Sequence, residues 1–309
     1  MITDIEGLHH VTSMASDARA TDRFFTGTLG LRRIKKTVNF DEPSVYHLYY
    51  GDGAGTPGTV MTYFPFPGMP RGRRGAGETS VTEFAVPPGA LAFWKERFAQ
   101  HGVAGEAETT GFRASRLTFA GPDGDGFALV EVEDDDRAPW TGADVPAKAA
   151  IRGFAGVRLT LNDGGPMADL LTHMGYTETA REGGLVRYEI EGGNPARHVD
   201  VAVDLDAPIA RQGAGTVHHI AFGVADRAAQ DRVRDALVTA GHSVTPVIDR
   251  DYFWAIYFRA PGGVLFEVAT AEPGFARDED PAHLGEGLML PDQHAHLRAH
   301  LEERLPALD

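Results

Sequence analysis

His10, His219 and Glu267 are the residues whose types and setting could do chemistry together. His10 sits in the strand-like run Leu8-His9-His10-Val11-Thr12. His219 sits in a near copy, Val217-His218-His219-Ile220-Ala221-Phe222. Glu267 falls in Gly262-Gly263-Val264-Leu265-Phe266-Glu267-Val268. Two imidazoles and one carboxylate form the ligand set of a non-heme Fe(II) site that keeps coordination positions open. The chain has no cysteine. Disulfides and thiolate chemistry are therefore excluded, and any metal must use His, Asp, Glu or solvent.

The elements that must position these residues recur four times. Each unit reads as a short apolar strand, a helix, a glycine and three more strand-like runs. The helical stretches are 17–29, 88–101, 166–174 and 227–240. Each stops at a glycine suited to a left-handed cap: Gly30, Gly102, Gly175 and Gly241, spaced 72, 73 and 66 residues apart. In the first unit the strands are 32–38, 45–50 and 59–63; in the fourth they are 244–248, 254–258 and 264–269. The class is α+β, built from four β-α-β-β-β units. Such a unit cannot close a sheet alone, so two should join into each of two curved, cup-like mixed sheets.

Alignment on Ser16-Asp17 and Ala225-Asp226 puts His10 and His219 at one repeat position. Units two and three carry Val81 and Gly156 there. Aligned on the preceding glycine, Glu267 corresponds to Thr62 and, with a possible one-residue slip, to Val130. Unit three is too divergent to align at this point, although Asp200 lies nearby. Ligand types thus concentrate in units one and four, and the other copies are not expected to be armed. One centre then requires units one and four to share a cup, and units two and three the other. In linear order the chain divides into an N-terminal half (1–140), a C-terminal half (150–270) and a tail (271–309). The tail ends in a helix over 292–305.

Composition bounds the function. The chain has 309 residues, 42% hydrophobic and 24% charged, with 29 basic against 44 acidic side chains for a net charge of −15. That balance argues against nucleic acid, which needs a basic face. No apolar run reaches the roughly 18 residues of a membrane helix. The first residues lack the basic and apolar regions of a signal peptide. A cytoplasmic enzyme for small molecules is the expectation, with a homo-oligomer left open. Arg71-Gly72-Arg73-Arg74 reads as an exposed loop, and His47, in a strand of alternating tyrosines, reads as packing.

Several motifs carry a closer likeness: Leu8 to Thr12, Tyr46-His47-Leu48-Tyr49-Tyr50, Gly55-Thr56-Pro57-Gly58-Thr59-Val60-Met61-Thr62, Val217-His218-His219, Arg259-Ala260-Pro261-Gly262-Gly263 through Glu267, and Gly274-Phe275 with Asp278-Glu279. The chain resembles the vicinal oxygen chelate superfamily, and within it the hydroquinone ring-cleaving dioxygenases of the dichlorohydroquinone 1,2-dioxygenase type. The resemblance implies Fe(II), with Mn(II) as the alternative ion, on His10, His219 and Glu267. It implies O2 and a small aromatic partner, a hydroquinone or catechol, opened by extradiol-type chemistry. It also implies roles near the substrate for His9, Thr12, His218, Arg250 and Tyr257. Of these, His9, His218, Tyr257 and Arg250 are the candidates for catalysis. Thr12 and Tyr252 are the candidates for substrate contact. Strand alternation sends His9 and His218 away from the metal unless the strands bulge. Unit three departs from the pattern at Gly164-Gly165-Pro166, and Asp251-Tyr252-Phe253-Trp254 is unusually aromatic. A glyoxalase-type isomerase or lyase and a non-catalytic aromatic-binding resistance protein remain the rival functions.

Overall fold

The computed structural model describes residues 1–103, 107–112 and 114–308. The four units are present. Unit one comprises β1 (Leu8–Ala15), α1 (Ala18–Asp22), β2 (Arg32–Val38), β3 (Tyr46–Gly51) and β4 (Val60–Pro65). Unit two comprises β5 (Glu78–Val86), α2 (Leu91–His101), β6 (Ala107–Gly111), β7 (Ala114–Ala120) and β8 (Gly126–Glu131). Unit three comprises β9 (Gly153–Leu161), α3 (Gly165–His173), β10 (Thr177–Glu182), β11 (Leu185–Glu189) and β12 (His198–Val203). Unit four comprises β13 (Thr216–Val224), α4 (Arg227–Thr239), β14 (Ile248–Asp249), β15 (Phe253–Arg259) and β16 (Leu265–Pro273).

Local chemistry explains the helix ends. Asp17 and Asp226, the two residues that aligned the repeat, each accept a backbone N–H bond from the residue three on, at 2.8 Å. Gly30, Gly102, Gly175 and Gly241 all take positive φ, between 65° and 94°. The first helix is shorter than its sequence suggests. After Asp22 the chain widens into a π-turn over Arg23–Thr28. That turn places Phe25 against Tyr50 and Tyr63, with ring centroids 5.0 and 5.1 Å apart.

The strands form two eight-stranded mixed sheets. One runs β14-β15-β16-β13-β1-β4-β3-β2 and the other β10-β11-β12-β9-β5-β8-β7-β6. Units one and four therefore share a sheet, as do units two and three. Each sheet draws on both halves of the sequence. At the centre of the first, β1 and β13 run antiparallel while each pairs in parallel with its own unit's last strand. One large apolar cluster spans both sheets, including Phe25, Phe84, Phe127, Phe154, Phe222 and Phe266. The stretch between the halves joins it through Val145, Ala149 and Ile151, and Trp94 Nε1 donates to Ala149 O at 2.8 Å.

Register sharpens the repeat alignment. His10 pairs with Ala221 and His219 with Thr12, so each lies opposite the residue two beyond its counterpart. Gly156 pairs with Glu83 and Val81 with Arg158, which is the same offset. The last strands correct one expectation. Glu267 pairs with Ala221, Thr62 with Thr12 and Asp200 with Arg158. Ala128, not Val130, pairs with Glu83 and takes that place in unit two. Asp200 holds it in unit three, so a third copy carries a ligand-type residue after all. Loop lengths before the last strands differ, and counting from a glycine misplaces them.

The tail straps unit one. Its last turns form α5 (Arg298–Arg304), preceded by a 3-10 segment over Asp292–Leu297. Lys35 has no exposed surface, and its Nζ bonds Asp278 Oδ1 at 2.6 Å and Glu279 Oε2 at 2.5 Å. Removing one member of a buried ionic group leaves uncompensated charge, a loss of roughly 3–5 kcal/mol. Lys35→Met should lower stability in urea melts by about 3 kcal/mol, the low end, because Asp278 still reaches solvent. Lys35→Met combined with Glu279→Gln should recover part of that loss.

Candidate metal centre

The β1–β13 seam brings the three ligand types together. His10 Nε2 lies 3.3 Å from His219 Nε2 and 3.4 Å from Glu267 Oε2, and His219 Nε2 lies 2.9 Å from Glu267 Oε2. Ligands held about 2.1 Å from one ion at right angles lie about 3 Å apart. Three such spacings describe one face of an octahedron. Glu267 has no exposed surface, and neither carboxylate oxygen has a hydrogen-bond partner among the described residues. The imidazoles approach it without the alignment of an N–H···O bond. A buried carboxylate without donors is costly, and a cation at the convergence of the three side chains would relieve that cost.

Charge states suit the same role. Burial would raise the Glu267 carboxyl, but His10 and His219 hold it well below the usual range. Burial lowers His219. His219 is thus neutral and Glu267 ionised at neutral pH, which are the forms that ligate metal.

His9 and His218 resolve the alternation problem. Register slips between Leu8 and His10 on β1, and between Ser13 and Thr12 opposite His218 on β13. Each bulge swings an extra histidine beside a ligand. His9 Nδ1 lies 2.9 Å from His10 Nδ1, and His218 Nδ1 lies 2.7 Å from His219 Nδ1. With Nε2 of His10 and His219 free to ligate, their Nδ1–H groups donate to the neighbours. His9 passes the chain on, donating Nε2–H to Thr270 O at 3.1 Å. Such bonds fix the orientation of ligating imidazoles. Burial first, then the neighbouring ligand histidine, pushes His9 and His218 each down to about 3, so both stay neutral acceptors.

A cavity of about 430 Å³ opens on His10, His219 and Glu267, within the range of small-molecule sites. Phe64, Phe253, Tyr49 and Met14 supply apolar wall; His47, His218, Arg250 and Tyr257 supply polar points. Arg250 Nε donates to the Tyr257 hydroxyl at 3.2 Å. Burial, then the charge of Glu267, pushes the Tyr257 phenol well above its ordinary value, so it keeps its proton.

The expected residues divide in position. His10, His219, Glu267, His218, Arg250 and Tyr257 line the cavity. His9 and Thr12 stand behind it. Thr12 Oγ1 lies 3.0 Å from Thr62 Oγ1 and is fully buried. Tyr252 does not reach the lining. It precedes β15, packs against Phe275 in the tail and donates its hydroxyl to Asp278 at 2.9 Å, while its neighbour Phe253 lines the cavity. His47 escaped sequence reasoning. Its Nε2 lies 2.8 Å from Thr62 Oγ1, and its Nδ1 lies 2.8 Å from Tyr49 OH. The signal that could have found it is Thr62 itself. Thr62 is the repeat counterpart of Glu267, and a hydroxyl buried at that position needs a partner.

Glu267→Ala should bind no stoichiometric metal by elemental analysis. Saturating Mn(II) should raise the stability of the parent protein by about 2.7 kcal/mol at a hundred times its Kd and leave that of the variant unchanged. Metal-dependent stabilisation of a folded Glu267→Ala protein would refute the ligand assignment.

A sequence profile of the Glyoxalase/Bleomycin resistance protein/Dioxygenase superfamily matches residues 7–268. A Bacillus subtilis (strain 168) protein provisionally named ring-cleaving dioxygenase MhqO is 41% identical over 303 residues, 97% of this chain and 95% of the relative. The chlorohydroquinone/hydroquinone 1,2-dioxygenase of Sphingobium indicum is 36% identical over 289 residues, 91% of this chain and 90% of the relative. A crystal structure of a Bacillus subtilis protein provisionally described as a dioxygenase superposes with a TM-score of 0.96 at 39% identity, covering 99% of this chain and 98% of that one. Among the described residues no helix is long and apolar enough to cross a membrane. The chain belongs to the glyoxalase/bleomycin resistance protein/dioxygenase superfamily and, at these identities over nearly its whole length, to its ring-cleaving dioxygenases.

Proposed function

We propose that the chain is an Fe(II)-dependent dioxygenase that opens a hydroquinone- or catechol-type ring. The chemistry would be extradiol in type: the bond broken lies between a hydroxyl-bearing carbon and a neighbour without a second hydroxyl. The observation that carries this is the open face of the ligand set. His10, His219 and Glu267 supply one face, and Thr62, tied to Thr12 and His47, supplies no fourth ligand. His10, His219 and Glu267 would hold the Fe(II), which when bound would supply the redox and Lewis-acid chemistry that joins a phenolic substrate to O2. The same side chains would hold Mn(II). A glyoxalase-type isomerase is disfavoured by the engaged Thr62 hydroxyl, and a passive binding protein has no use for a buried ligand triad.

The protein residues bind, orient and hold protons. Phe253 and Phe64 give the cavity apolar wall against which an aromatic ring would pack. Tyr257 accepts from Arg250 and keeps its own O–H, held in the cavity beside Glu267 where a substrate or oxygen atom would meet it. His218 accepts at Nδ1 from His219, so its proton sits on Nε2, available to a reacting oxygen. His9, engaged at both nitrogens, is a positioning residue for His10 and not a proton carrier.

Anaerobic protein loaded with Fe(II) and methylhydroquinone should consume O2 on admission of air and give a ring-opened product by ultraviolet absorbance. Stoichiometric iron with no uptake on any hydroquinone or catechol would remove the proposal. Tyr257→Phe should lower kcat by about a hundredfold while iron content stays at one per chain.

A further inference from the structure

The second cup holds a ligand-type cluster that the first cup's chemistry does not use. Glu83, His198 and Asp200 bring one ligand atom each within 4.8 Å of one another. Glu83 and Asp200 have no exposed surface, and His198 is 6% exposed. Asp200 stands at the repeat place of Glu267, and β5 and β9 carry bulges at Ser80 and Ala155, the counterparts of His218 and His9 across the pseudo-symmetric seam. Gly156 stands at the place of His219. A side chain there would collide with the His198 ring, which reaches across from the adjacent strand. The imidazole has moved to β12, yet it meets a carboxylate at the same spacing. His198 Nε2 lies 2.9 Å from Glu83 Oε2, as His219 Nε2 lies 2.9 Å from Glu267 Oε2.

A cation already sits among these atoms. Arg187 Nε bonds Asp200 Oδ1 at 2.7 Å, and its Nη2 bonds Asp200 Oδ2 at 2.8 Å. The same Nη2 lies 3.2 Å from His198 Nε2 and 3.8 Å from Glu83 Oε2. One guanidinium therefore touches all three ligand-type side chains. Arg116 and Arg158 stand outside it, 3.5 and 3.4 Å from Glu83 Oε1. Two buried carboxylates thus face three arginines, and the charge a metal would neutralise is already neutralised.

We infer that Arg187 is a covalently attached substitute for a metal ion, and that the second cup is a latent divalent-cation site exposed when that guanidinium is removed. The natural chain accordingly holds one ion, in the first cup. Oxygen and imidazole donors around a small cavity suit Mn(II) or Zn(II). A cavity of about 350 Å³ reaches Arg187 and His198 and gives an ion a way in.

The test removes the first site so that any bound ion reports the second. Full-length Glu267→Ala protein should hold no Mn(II) by electron paramagnetic resonance after desalting. Adding Arg187→Met keeps the side chain's length against Phe112, which the guanidinium covers at 4.5 Å, but removes the charge. That protein should hold one Mn(II) per chain and be stabilised by it, and a further Asp200→Ala should abolish both effects. Arg187→Met with Arg116→Met provides a second chance if the charge of Arg116 alone keeps the ion out. Folding restored by Mn(II) in a variant that does not fold unaided supports the inference. Absence of Mn(II) binding or of Mn(II)-restored folding in both variants, or binding that survives Asp200→Ala, overturns it. None of these outcomes depends on the ring-opening activity.

Discussion

The antiparallel seam between β1 and β13 is the contact on which the centre depends. It sets two histidines from opposite ends of the chain one strand apart and places Glu267, through Ala221, in the row of His10. A slip of one residue would turn His10 to the other face of the sheet. Bulges on both seam strands keep the register while adding a second histidine to each ligand. Those extra imidazoles stand within hydrogen-bond distance of the Nδ1 atoms of His10 and His219, which leaves both Nε2 atoms turned toward Glu267. The result is a buried carboxylate with no well-aligned hydrogen-bond donor among the described residues, a cost that a positive charge there would offset.

The second cup answers the same problem in another way. It keeps the seam, the offset and the bulges, but its buried carboxylates meet guanidinium groups. Burial would raise Glu83, yet the bond and charge of His198, with Arg116 and Arg158, hold it down to about 2. Buried ion clusters seldom add much net stability over an apolar core. Their effect here is to fill one cup with fixed charge while the other stays open. The two nearly equivalent cups therefore differ in charge: one is filled by guanidinium groups, the other opens on His10, His219 and Glu267.

Around the open cup, side chains that do not touch the ligands keep the wall in shape. Lys35 binds the tail to β2 and lies over the ring of Tyr252 at 4.7 Å. Tyr252 in turn stacks on Phe275, and Tyr49 meets both. The tail has no counterpart in the repeat, and its acidic pair Asp278-Glu279 explains why a lysine can be wholly buried on β2.

Much of this was legible in the chain. Four evenly spaced glycine caps and paired Asp caps reveal the repeat, because helix ends obey local rules. The repeat singles out His10, His219 and Glu267 and requires the first and last units to meet. Other features depended on contacts between strands far apart in sequence. The bulges at His9 and His218, the partner of Thr62 in His47, and the retreat of Tyr252 toward Asp278 are of this kind. So is the cluster of Glu83, His198 and Asp200: Asp200 matches Glu267, but Glu83 and His198 stand at repeat positions that carry no ligand type in units one and four. The sequence by itself determined which side chains could ligate and which units must pair, since caps and periodicity act over a few residues. Only the tertiary structure decided which lone pairs converge and which are already neutralised, since that rests on register and on charges brought together across the seam.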